Sequence, residues 1–164
     1  MDKKLYKVMN DQVTKELFSA YLYLSMAGYF ESKGLPGMAH WMKLQANEEV
    51  SHGMKIFGYI NDRGDTVMLG GFEKPESEFK SVRDVFEKAL AHEKKVTASI
   101  NNIYSVATGV EDYAAQVFLQ WFLDEQVEEE KNAVDILSKL DYIKDNSMGL
   151  LMLDKELGSR AAES

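Results

Sequence analysis

The sequence predicts an all-α protein: four long helices in one antiparallel bundle, with one long crossover and a short fifth helix at the C-terminus. Three observations carry this. Four stretches of roughly 25–30 residues keep apolar side chains at spacings of three and four, the period of a helix face turned to a core. After the second stretch, about twenty residues hold Gly70, Gly71 and Pro75 but no helical pattern, an unusual length for a loop in a small domain. Each apolar stripe is interrupted near its centre by a carboxylate: Glu16, Glu49, Glu93 and Glu129. Glutamate is almost never fully buried without a partner, so these coincidences at one height of a bundle argue for a ligand between them.

The first helix is expected from about Leu5 to Ser32, with Leu5, Val8, Gln12, Glu16, Ser19, Tyr23, Ala27 and Phe30 on its inner face. Tyr23 lies two turns beyond Glu16 on that face. It is either an amphipathic core residue or a hydrogen-bond and electron donor to a carboxylate at the centre. Lys33-Gly34-Leu35-Pro36-Gly37 joins a glycine stop to a proline suited to a new first turn, so the second helix returns antiparallel and brings Glu49 beside Glu16. Its inner positions are Met42, Gln45, Glu49, His52, Ile56 and Ile60. Glu49 and His52 share a face, so both can hold a single ion. A lone Glu-x-x-His is weak evidence, and the carboxylates of the other helices are what turn it into a candidate site.

The second helix ends near Asn61-Asp62-Arg63-Gly64. Returning along a helix of ~25 residues means crossing roughly 38 Å, which about twenty residues at ~3.3 Å each can span. The crossover therefore makes the second and third helices parallel. Within it Val67-Met68-Leu69 is expected to pack on the bundle or on another subunit. The third helix, from about Ser81 to Ala107, turns Val82, Phe86, Ala89, Glu93, Val96, Ile100, Ile103 and Ala107 inward. His92 is about 100° round the helix from Glu93, which makes it a surface or packing residue, and His40 is likewise off the site.

A break at Thr108-Gly109-Val110-Glu111-Asp112 opens the fourth helix, which runs to about Ile143 with Phe118, Phe122, Gln126, Glu129, Ala133, Ile136 and Leu140 inward. Glu125, Glu128 and Glu129 share a face and repel one another, so the members nearest the core need cations, whereas Asp124 and Glu130 read as solvated. Trp121, one turn from Glu125, is expected to pack in the core, with electron donation to the site as the second reading. Ser147 to Leu157 forms a capped helix too short and too apolar to stand alone. It is expected to pack at the end of the bundle and meet symmetry mates, with a mobile tail from Gly158 to Ser164.

With 164 residues, 45% of them apolar, the chain is expected to form one domain over 1–164, the bundle at about 5–143 and the fifth helix at about 147–157. The absence of cysteine excludes disulfides, thiolate metal sites, iron–sulfur clusters and cysteine nucleophiles, so any metal must use oxygen and imidazole. A formal charge of −8 disfavours nucleic acid and anionic membranes as partners and suits a surface that attracts cations. There is no apolar run long enough to span a membrane, and the basic start is followed by a mixed segment rather than an apolar signal core. A soluble cytoplasmic protein is the expectation.

Glu16 with Tyr23, Glu48-Glu49-x-x-His52, His92-Glu93, Trp121 and Glu125-Gln126-x-Glu128-Glu129, together with the long crossover and the fifth helix, resemble the bacterial non-haem ferritins over essentially the whole chain. The resemblance implies the ferritin-like fold. It also implies a hollow 24-subunit homo-oligomeric shell, in which Fe²⁺ is oxidised by O₂ or peroxide and stored as hydrous ferric oxide. By the same resemblance one iron lies between Glu16, Glu49 and His52 and the other between Glu49, Glu93 and Glu129, with Glu49 bridging and Gln126 adjacent. Glu48, Glu125 and Glu128, with Glu129 shared, correspond to the family's third iron site. Four carboxylates and two Fe²⁺ ions sum to zero charge, which removes the cost of burying the glutamates.

Hard oxygens with one imidazole suit iron, manganese or weakly bound zinc, so iron is favoured by the family rather than by the ligands alone. Bacterioferritins that carry haem usually have Met after the bridging glutamate and a second Glu-x-x-His on the fourth helix. Val50 and Gln126-x-x-Glu129 stand there instead, and no haem is expected. The functional alternative is a di-iron oxidase or peroxide-scavenging bundle without mineral storage, and the non-enzymatic one is a metal-free helical bundle.

Overall fold

Asp2 opens the first helix. Its side chain accepts from the backbone N–H groups of Lys4 and Leu5 at 2.8 and 3.3 Å, so the helix starts at Lys3, ahead of the expected Leu5. The computed structural model describes residues 1–162, which form α1 (Lys3–Ser32), α2 (Pro36–Asp62), α3 (Val82–Gly109), α4 (Tyr113–Ile143) and α5 (Ser147–Leu157), with no strand among them. None of these helices is long and apolar enough to cross a membrane.

Pairs along the helices establish their directions. Glu31 meets Lys43 while Glu16 meets Glu49, so α1 and α2 are antiparallel. Tyr23 bonds Glu93 while Gln12 bonds Ser99, so α1 and α3 are antiparallel too, and α2 and α3 are parallel as the crossover requires. Thr97 with Glu130 and Arg83 with Asp141 run α4 back along α3.

The crossover has no secondary structure, and its backbone is satisfied by an outward stripe of α1. Tyr6 donates to Thr66 O at 2.7 Å, Asn10 exchanges two hydrogen bonds with Met68 at 2.9 and 2.8 Å, and Thr14 Oγ1 accepts from Gly70 N at 3.0 Å. These positions are four apart, one helical turn each, so α1 acts as a track for the returning chain. Phe18 and Tyr21 then hold the Phe72 ring, and Ser25 donates to Glu76 O at 2.6 Å. Of the expected apolar patch, Val67 packs into the bundle, while Met68 and Leu69 stay exposed.

The apolar core is split into two halves. One gathers Leu5, Met9, Ile56, Ile100 and Phe122, and the other Met26, Phe30, Met38, Phe86 and Leu153. Between them the buried residues are polar. Three expected inner positions, Val8, Val82 and Phe118, are only half-buried, while Met9, Val85 and Leu119 are fully buried. Each helix packs against more than one neighbour, so its buried face is wider than one stripe and its centre shifts by a residue. Trp121 does not pack in the core: it is 37% exposed, edge-on to His52 at 5.3 Å, with Lys55 Nζ 3.7 Å from its ring centre.

In the α3–α4 turn the residue with positive φ is Glu111 (φ 56°) rather than Gly109, and Asp112 caps α4 while accepting two hydrogen bonds from Arg63 at 3.0 and 2.8 Å. Helix α5 is capped by Asn146 and packs at the end of the bundle against α2 and α4. Asp154 on α5 in turn caps α2, its Oδ1 accepting from Met38 N at 2.8 Å, because Leu35 at the N-cap position has no acceptor to offer. Gly37 allows this approach: a Cβ there would lie 1.8 Å from Asp154 O. The tail, expected to be mobile, is instead fastened at Arg160 to α2. Residues 163–164 of that expectation lie outside the described residues.

Candidate metal centre

All four bundle helices deliver side chains to the polar layer. Gln12, Glu16 and Ser19 come from α1, Gln45, Glu49 and His52 from α2, Glu93 from α3, and Gln126 and Glu129 from α4, all buried. Ligand atoms of Glu16, Glu49 and His52 lie within 4.8 Å of one another, and so do those of His52, Glu125 and Glu129. His52 joins the two groups, with Nδ1 3.8 Å from Glu49 Oε2 and Nε2 3.7 Å from Glu125 Oε1. Glu93 is turned to Tyr23, whose hydroxyl donates to Oε1 at 2.5 Å, and to Gln126, whose amide donates to Oε2 at 3.2 Å.

Three glutamines steer three carboxylates. Gln12 Nε2 donates to Glu16 Oε1 at 2.9 Å, Gln45 Nε2 to Glu129 Oε2 at 2.7 Å, and Gln126 Nε2 to Glu93. Two of these amides are anchored from outside. Lys15 donates to Ser99 and Ser99 to Gln12 Oε1, at 2.7 and 2.6 Å, while Arg160 donates to Gln45 Oε1. An amide whose oxygen already accepts must present its NH₂ group inward, so the carboxylate orientation is set before any ion arrives.

The electrostatics favour a cation. Burial raises the pKa of all four carboxyls: Glu16 against hydrogen bonds to Glu49 and Gln12, Glu49 with added repulsion from Glu93 and Glu16, Glu93 to about 7, and Glu129, facing Glu93, to about 8. Burial beside Lys55 lowers the His52 pKa to about 4, so the imidazole is neutral and has a lone pair to offer at neutral pH. Burial and the adjacent carboxylates keep the Tyr23 hydroxyl protonated. Apart from a proton shared between the two carboxyls, no donor among the described residues reaches Glu16 Oε2 or Glu49 Oε2, although both atoms are buried. Two inward acceptors without a donor, beside a neutral histidine, fit a divalent cation.

The signs give a pH prediction for the metal-free protein. Carboxyls whose folded pKa lies above the unfolded value bind extra protons in the native state, so they stabilise it at low pH and lose that contribution as pH rises through about 7 to 8. His52 and His92, both lowered to about 4, act oppositely but only below the ordinary histidine value of 6.5. Above pH 6.5 the histidine contribution fades and the carboxyls dominate, so between pH 6.5 and 8.5 metal-free stability is expected to fall by roughly 2 kcal/mol. Melting curves across that range test it, and a flat or rising melting temperature would contradict it. With Zn²⁺ bound the fall should disappear, since metal takes the place of the protons.

Of the residues expected from the sequence, Glu16, Glu49, His52, Glu93, Gln126 and Glu129 are all in the polar layer, and Tyr23 reaches it as a donor. His92 lies off the centre, with Nε2 2.7 Å from Ser19 Oγ and its ring against Phe18. Of the three residues assigned to a third ion, Glu125 has ligand atoms close to those of His52 and Glu129, Glu48 pairs with Arg160, and Glu128 is exposed. Sequence reasoning placed Gln12 and Gln45 on inner faces without giving them a role. A polar residue one turn before each ligand was the available signal. Nothing in the sequence pointed to Arg160.

Residues 6–143 match the family described as Ferritin-like domain. A probable bacterial non-heme ferritin-like protein of Haemophilus influenzae is 35% identical over 164 residues, covering 100% of this chain and 99% of its own. A bacterial non-heme ferritin of Staphylococcus haemolyticus is 40% identical over 161 residues, covering 98% and 97%. Among solved structures, an open pore ferritin from Archaeoglobus fulgidus is 44% identical with a TM-score of 0.97, over 98% of this chain and 99% of that one. A closed form of the same ferritin, engineered by mutagenesis, matches with the same identity and TM-score over 99% of both chains.

Proposed function

Because the chain belongs to the ferritin-like domain family, we propose that it stores iron and detoxifies it, oxidising Fe²⁺ with O₂ or peroxide at a paired metal centre and depositing hydrous ferric oxide inside a 24-subunit shell in the cytoplasm. One observation carries this reading: a carboxylate from each of four helices shares a buried layer with a neutral histidine, and two of the carboxylate oxygens lack a donor among the described residues. Iron is here the substrate and the cargo.

Glu16, Glu49 and His52 hold one Fe²⁺, and Glu49, Glu93 and Glu129 hold the second, with Glu49 shared. A shared carboxylate keeps two ions close enough to deliver electrons to one oxidant. Metal arrival displaces the protons that burial keeps on Glu49, Glu93 and Glu129, so proton release accompanies loading. Tyr23 holds Glu93 by its hydroxyl and stands nearest to supply an electron. Glu125 has a ligand atom within 4.8 Å of those of His52 and Glu129, and with Glu48 and Glu128 it offers a third ion a place on the way to the interior.

Exposed Met148, Leu151 and Met152 on α5, with Tyr142 beside them, and exposed Met68 and Leu69 on the crossover supply apolar area for subunit contacts. Adding Fe²⁺ aerobically to the metal-free protein and sizing the product tests the proposal. A large iron-filled shell is the expected result. Oxidation that stops at two irons per chain would indicate a di-iron oxidase without storage, and no iron uptake would indicate a metal-free bundle.

A further inference from the structure

Arg160, beyond the end of α5, lies against the flank of α2. Its Nη1 donates to Gln45 Oε1, its Nη2 lies 3.0 and 2.9 Å from the two oxygens of Glu48, its guanidinium carbon is 5.1 Å from the Trp41 ring centre, and its carbonyl oxygen is 3.0 Å from His40 Nε2. The Arg160 and Glu48 side chains are only 20% and 15% exposed. From Gln45 the line continues inward, because the same amide donates to Glu129 Oε2. One hydrogen-bonded path thus joins the C-terminal segment to a carboxylate of the metal centre.

A guanidinium does not lose its charge at any ordinary pH, so a cation is already seated on Glu48. A divalent ion taking the same oxygens would stand beside it and be repelled. We propose that Arg160 is a tethered cation that competes with a third metal ion for Glu48, and that its displacement releases Gln45 and thereby Glu129. The proposal rests on the reading that Glu48, Glu125 and Glu128 take up a third ion. Its consequence is a coupling: when the third position fills, the amide that orients Glu129 loses its outer anchor, and the paired site is reset for discharge.

Zn²⁺ binding to the metal-free shell separates affinity from oxidation. By calorimetry the wild-type protein should take two ions tightly and a third weakly. Arg160→Gln should tighten the third by about three- to tenfold, the size expected when a part-exposed ion pair no longer has to be broken, and leave the first two within twofold. Arg160→Lys, which keeps the charge but cannot reach Gln45 and Glu48 together, should fall between. Glu48→Gln should remove the third ion in either background.

A second readout follows the guanidinium itself. The chain has two tryptophans, so in Trp121→Phe only Trp41 emits. The third equivalent of Zn²⁺ should change that emission when Arg160 is present and leave it unchanged in Arg160→Gln. If Glu48→Gln weakens the third ion while Arg160→Gln does not strengthen it, the competition is refuted and the third site stands. Should Glu48→Gln have no effect, the third-site reading fails and the proposal with it. Weaker third-ion binding in Arg160→Gln would make Arg160 a supporting residue, and that too would overturn the proposal.

Discussion

Glu49→Ala is expected to slow the first fast phase of Fe²⁺ oxidation by at least about a hundredfold, and by more than Glu16→Ala does. Glu49 is crowded by negative charge, with Glu93, Glu16 and Glu129 all acting on it, and its ligand atom lies within 4.8 Å of those of His52 and Glu16. In the proposed arrangement Glu49 touches both ions of the pair, whereas Glu16 touches one. Stopped-flow absorbance after mixing with aerobic Fe²⁺ measures the phase. Equal residual rates in the two variants would count against a shared Glu49.

The same charge crowding makes Glu49 costly to the metal-free fold. The isosteric Glu49→Gln, which removes one member of a self-repelling buried group without leaving a cavity, should therefore melt no lower than the parent at pH 8. A lower melting temperature there would mean that the carboxylate has a stabilising partner, contrary to its orphaned Oε2.

Gly37→Ala is expected to destabilise the protein by about 3 kcal/mol per chain, through a clash and a lost cap. Its Cβ would lie 1.8 Å from Asp154 O and 2.6 Å from the carbonyl carbon, both backbone atoms that cannot rotate away, so α5 must move off α2. The Asp154 carboxylate then leaves Met38 N, and the first turn of α2 loses the one side-chain acceptor it has among the described residues. Gly28→Ala is the control. It lies in α1 with nothing within 4 Å of a Cβ, and the same substitution there should raise stability by up to ~1 kcal/mol through helix propensity. Chemical denaturation midpoints of both variants give the comparison. Equal effects would show that α5 does not brace α2, and a loss of assembly confined to Gly37→Ala would support the bracing.

The sequence by itself determined the helices, their order and the chemistry at their centre. A carboxylate inside an apolar stripe is visible at one position on one helix, and Glu16, Glu49, Glu93 and Glu129 each break a periodic pattern that their own neighbours define. The crossover was legible for a similar reason, since its length and its Gly and Pro content exclude a helix and only a span along the bundle uses so much chain.

Tertiary structure decided which groups beyond those meet. Gln45 reaches Glu129 across 84 positions, Met38 is capped by Asp154 across 116, and Arg160 lies on Glu48 across 112. It also moved Trp121 out of the core, paired Glu48 with Arg160, and set a docked tail where mobility was expected. Periodicity reports how one helix faces its neighbours but not their relative height or the path of a short segment after the last turn. A guanidinium or a carboxylate finds its partner through a few ångströms of space, and only the packing of the helices determines what lies within that reach.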